Sequence, residues 1–171
     1  MRTTVIACSI ALLLMLAAPA SAASSRGIVV EVTSITAATR PASERGEAAA
    51  ALDPRLAPFS KNLRSLFAYD SYTFLNKDRD AVEFGEATVF KLPEHLSIEI
   101  APEQLGRDGS NMIEMVVTLF REGPRTEGGR ETPKREVVLR TKIRLKNGGT
   151  VLLGGPPIRG GVLVLALSAR G

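Results

Sequence analysis

Hydrophobic and polar residues along this chain mostly alternate with a period of two, the spacing that gives a strand one buried and one wet face. The stretch Arg26–Thr36 is β-branched and predicts a first strand. Ser71–Asn76 and Glu86–Leu92 predict two more, separated by a charged turn at Lys77–Ala81. In His95–Ile100, the residues Leu96, Ile98 and Ile100 share one face, and the outward face carries His95, Ser97 and Glu99. Asn111–Phe120 is apolar on both faces, as expected of a central strand. Glu136–Lys146, Thr150–Leu153 and Val162–Ala169 complete the set.

Only one segment has helical spacing. In Asp53–Phe67, residues Leu56, Phe59, Leu63, Leu66 and Phe67 recur at intervals of three and four. Asp53 can cap this helix and Pro54 suits its first position. Pro58 argues that regular α-helix begins only near that point, after a preliminary turn. Tyr69 is placed beside Phe67. Ala37–Leu52, rich in Ala, Glu and Arg, reads as a linker. Residues 101–110 and the charged, glycine-rich Arg121–Lys134 read as loops. The pattern therefore predicts an α+β fold that is mainly an antiparallel sheet. About eight strands form a sandwich or open barrel, with one helix near residues 54–68.

The N-terminus changes the picture of where this domain works. Arg2, an apolar run over Val5–Ala18 and the small residues Ala20-Ser21-Ala22 make residues 1–22 a signal peptide, cleaved before Ala23. The expected location is periplasmic or otherwise extracytoplasmic. Removing 22 residues from 171 leaves 149, enough for a single domain over residues 23–171. Cys8, the only cysteine, goes with the signal, so the mature chain has no disulfide, thiol nucleophile or thiolate ligand. Arg2 goes too, leaving 21 basic against 18 acidic residues, a net charge of +3. That is too weak to argue for nucleic acid, and no transmembrane helix is expected in the mature chain.

Candidate chemistry is sparse. His95 is the only histidine and adjoins Glu94, yet neighbours on a strand point to opposite faces. No zinc spacing, serine elbow, calcium loop or phosphate-binding glycine motif occurs. The expectation is a non-enzymatic protein with no cofactor and no metal site. The sharpest positional feature is Arg140, Lys142, Arg144 and Lys146, which fall on one strand face about 6.6 Å apart. Leu139, Thr141, Ile143 and Leu145 point the other way, into the core. The four cations form either a binding ladder for an anionic partner or a wet face paired with glutamates such as Glu114 or Glu99.

Leu139–Gly155 reads as a hairpin, with Asn147-Gly148-Gly149 at its turn. In Thr141, Ile143, Leu145, Asn147-Gly148, Thr150–Leu153 and Gly154-Gly155, followed by the apolar strand Val162–Ala169, it resembles part of the bacterial outer-membrane secretin core domain. That resemblance implies a small secretin-related β-module of the bacterial envelope. Together these readings predict an exported envelope interaction or assembly module. Its partner protein is engaged through the basic face or through a sheet edge, for which Val162–Ala169 is the candidate, although its apolar run suits a buried central strand at least as well. The competing class is a β-domain that binds a small ligand or an anionic polymer.

Overall fold

The structure is a computed structural model and describes residues 27–39, 51–105, 111–127 and 130–171. Residues 1–26, including the segment 1–22 read as a signal peptide, and residues 40–50 lie outside the described residues. Nine strands form two sheets: β1 (Gly27–Ala38), β2 (Ala51–Leu52), β3 (Ser71–Glu83), β4 (Thr88–Leu92), β5 (Leu96–Leu105), β6 (Met112–Glu127), β7 (Arg130–Lys146), β8 (Thr150–Ile158) and β9 (Gly161–Arg170). The five-stranded sheet has the order β2-β3-β1-β9-β8, and the four-stranded sheet the order β4-β5-β6-β7. Every pairing is antiparallel except the short β2–β3 contact.

Period-two alternation sends one face of each sheet into a shared core. Ile28, Val30 and Val32 of β1 and Leu163, Leu165 and Leu167 of β9 meet Ile98 and Ile100 of β5 and Ile113, Met115 and Val117 of β6. The opposite residues of β1 and β9, Ile35, Ala37, Val164 and Ala166, form a second cluster with Leu56, Leu63 and Tyr72. That cluster is covered by a 3₁₀ segment, Pro54–Phe59, leading into α1 (Ser60–Leu66). The Asp53 carboxylate accepts the Arg55 backbone N–H at 3.0 Å and caps the segment. The same guanidinium, bonding that carboxylate at 2.7 and 3.0 Å, holds the Asp53 pKa down to about 2. The Tyr72 hydroxyl lies 2.7 Å from the Phe67 carbonyl and 3.1 Å from that of Leu63, tying the helix end to β3. Leu66 departs from the expected apolar face and is 64% exposed.

Several segments read as turns or loops are strand. Lys77–Ala81 lies inside β3, because β1 pairs all five positions and Glu31 neutralises Lys77 at 2.8 Å. Residues 101–105 continue β5 past a bulge at Pro102–Gln104. β1 and β2 take up both ends of the segment read as a linker. Arg121–Lys134 is no loop either: β6 and β7 run through it with Pro124 opposite Pro133. Facing prolines can only form a non-hydrogen-bonded pair, so both missing N–H groups point away from the ladder. Polar composition misled here because a strand with an uncovered face needs no apolar residues there.

His95 is not on a strand. It shares with Glu94 a tight turn between β4 and β5, closed by Leu96 N–H donating to the Pro93 carbonyl at 3.3 Å. Both residues hold positive φ, 57° and 58°. That left-handed pair is where Asn-Gly ordinarily stands, and a side chain costs about 1 kcal/mol per residue there. The Glu94 carboxylate offsets part of this by accepting the Arg159 backbone N–H at 2.5 Å, joining turns of the two sheets. His95→Gly is therefore expected to raise stability by about 1 kcal/mol in chemical denaturation. A loss of stability would show that the imidazole makes a contact worth more than the strain.

Candidate functional site

The outer face of the four-stranded sheet carries the four cations singled out above. The register sets Arg140, Lys142, Arg144 and Lys146 of β7 opposite Thr118, Val116, Glu114 and Met112 of β6. All four are exposed, while Leu145 is buried beneath them and Leu139 and Ile143 pack against the core. The structure adds a fifth cation. A bulge at Val138 puts Arg135 on the same face, opposite Glu122. Strict alternation from Arg140 would have sent Arg135 inward, so a one-residue bulge hid it from sequence reading.

Glutamates interleave with these charges. Arg144 pairs with Glu114, and Lys142 bridges Glu103 at 2.5 Å and Glu114 at 3.6 Å. The Glu114 side chain is only 10% exposed, so its charge depends on those two cations. A hydrogen bond to Glu103 pushes the Lys142 pKa up. Arg135 lies over the Phe120 ring at 4.8 Å and reaches Glu122 at 3.5 Å and Glu99 at 4.0 Å. Buried Ser97, read as an outward residue, donates to Glu122 at 2.8 Å, and that bond is the main cause of a lowered Glu122 pKa. Of these five cations, only Arg140 and Lys146 make no ion pair among the described residues. The ladder is thus largely neutralised by Glu99, Glu103, Glu114 and Glu122, and its two uncommitted charges sit on an edge strand.

The segment Leu139–Gly155 is not a hairpin. β7 pairs with β6 and β8 with β9, so Asn147-Gly148-Gly149 carries the chain from one sheet to the other. Gly149 N–H donates to the Lys146 carbonyl at 2.7 Å, and Gly148 supplies the φ of +76° that a type II turn needs. The Asn147 N–H bonds the Asn111 carbonyl at 2.7 Å beside β6. Its side-chain amide exchanges two bonds, 3.0 and 3.2 Å, with the Gly171 backbone beyond β9. One asparagine thereby joins both sheets.

The strand proposed as a docking edge is also placed differently. β9 lies between β1 and β8 and is buried on both faces. The edges are β3 with its short cover β2, β4, β7 and β8. β8 is broken by a bulge at Gly154–Pro157 and bears two prolines, and β4 has five residues. β3 is partly covered by β2 and has a bulge at Leu75, opposite Ser34/Ile35 of β1, and Asp80 bonds Thr88 of β4 at 2.8 Å. These are devices that discourage strand addition. Leu139–Lys146 of β7 is unbroken in register over eight residues and free of proline. Among the described residues no strand pairs with its outer side.

No helix among the described residues is long and apolar enough to cross a membrane. No family model, curated protein or solved structure matches the chain.

Proposed function

We propose that this is a non-enzymatic, exported envelope interaction module that captures an extended segment of another envelope protein along the outer edge of β7. The carrying observation is that edge: Leu139–Lys146 is proline-free, unbroken in register and without a strand on its outer side among the described residues, while β4 is short, β8 is bulged with two prolines, and β3 is bulged and partly covered by β2. Backbone groups on such an edge bind an added strand, and neighbouring side chains choose it. Arg140 and Lys146, exposed and without ion-pair partners among the described residues, favour a strand with acidic residues on the same face. Export rests on the signal-peptide sequence, and a secretin-related role rests on the sequence of Leu139–Gly155.

Site-specific photo-crosslinking tests this reading, with one crosslinking residue placed at exposed positions of each edge: Val137 (β7), Val89 (β4), Leu75 (β3) and Thr150 (β8). The expected result is a discrete protein adduct from Val137 in envelope preparations, weakened by Arg140→Glu with Lys146→Glu. Adducts from the other edges in place of Val137, or none from any, would overturn it.

A further inference from the structure

The five-stranded sheet has an outer face that the helical segment covers only in part. On β1 the outward positions are Val29, Glu31, Thr33, Ile35 and Ala37, of which the last three are buried. Val29 and Glu31 instead floor an open cleft of about 220 Å³. Arg79 of β3, opposite Glu31, and Arg170 of β9, opposite Val29, enter the lining from the two sides of β1. Ser168 and Gly148 complete the rim.

The charges do not cancel. Neither guanidinium makes an ion pair or hydrogen bond among the described residues, and the Glu31 carboxylate is already taken by Lys77 at 2.8 Å. Three cations against one carboxylate leave a local charge of +2 on a concave, partly apolar surface. The Ser168 and Thr150 hydroxyls lie 2.7 Å apart and share one proton between them, so the second remains free to donate. Unpaired arginines present planar forks that suit tetrahedral and planar oxyanions, and bonds between charged groups are the stronger kind. The space is below the usual range for drug-sized ligands, which selects something small.

We propose that this cleft binds a phosphate dianion, free or as the monoester of a small molecule, between Arg79 and Arg170. The site lies on the opposite sheet from the β7 edge and stands whether or not that edge binds a partner.

Titration of the ¹⁵N-labelled protein at fixed ionic strength tests it, with inorganic phosphate and glycerol phosphate as probes and chloride as control. The expected result is saturable movement of the Gly148, Ser168 and Arg170 amide signals with phosphate and none with chloride. Arg79→Gln with Arg170→Gln should weaken binding at least tenfold, and Arg140→Gln with Lys146→Gln should leave it unchanged. Tighter binding of glycerol phosphate than of inorganic phosphate identifies an ester ligand, and equal or weaker binding identifies the free ion. A non-saturating response, the same response to chloride, or full binding by the Arg79/Arg170 variant would overturn the proposal.

Discussion

Gly161→Ala is expected to destabilise the domain by about 3 kcal/mol or more, a fall of roughly 6–12 °C in Tm for a domain of this size. Gly161 opens β9 where that strand begins to pair with β1. A Cβ there would stand 2.2 Å from the Ala37 carbonyl oxygen and 2.9 Å from its carbon, and φ is +156°. The obstructing atoms are backbone, so relief requires moving β1 and disturbing the ladder at Ala37–Val162. Gly160 is the internal control. Its φ of +86° is also left-handed, but nothing lies within 4 Å of its Cβ position, so Gly160→Ala should cost only about 1 kcal/mol. Equal losses in thermal or urea unfolding would show that conformation, not the close approach of β9 to β1, governs this corner.

The second large effect concerns β9 itself. Val164 is 0% and Leu165 2% exposed, yet they face opposite ways, one under α1 and the other between the sheets. Val164→Asn and Leu165→Asn should each cost about 3–5 kcal/mol. Each loses about 1.5–3 kcal/mol of apolar burial and leaves an amide without partners at about 1–3 kcal/mol more. Against a total stability of about 5–15 kcal/mol, either change brings the domain near unfolding. An edge strand wet on one face would tolerate one of the two. Urea midpoints for the pair therefore discriminate the central placement of β9 from the edge placement that its sequence alone allowed.

The strands were legible where alternation was strong, and so was the cap at Asp53-Pro54, because each signal is local. The common face of Arg140, Lys142, Arg144 and Lys146 followed from period two alone. Partnership was not legible. Asn147-Gly148-Gly149 offers the backbone freedom of a turn, and nothing in that tripeptide says whether its flanking strands pair together or join different sheets. The apolar run Val162–Ala169 fits a strand buried on both faces, but only the positions of β1, β8 and α1 decide that it is one. Arg135 was missed because a bulge changes the face count by one. The charged stretches Lys77–Ala81 and Arg121–Lys134 were read as irregular because charge signals exposure, and exposure is equally a property of the wet side of a strand.

The pairing of β1 with β9 also sets the order in which this molecule can assemble. Val30 stands opposite Ala169, so the earliest described strand is hydrogen-bonded to the last across nearly the whole described chain. β3 can dock soon after β1, but the second flank of β1 waits for the final strand to arrive. Contacts this distant in sequence place a protein among slow folders, in the range of roughly milliseconds to seconds. Until β9 arrives, β1 can pack Val30 and Val32 against β5 and β6, but its second flank stays an unpaired backbone edge. In that interval the open flank of β1 is a place where any extended segment could add in place of β9.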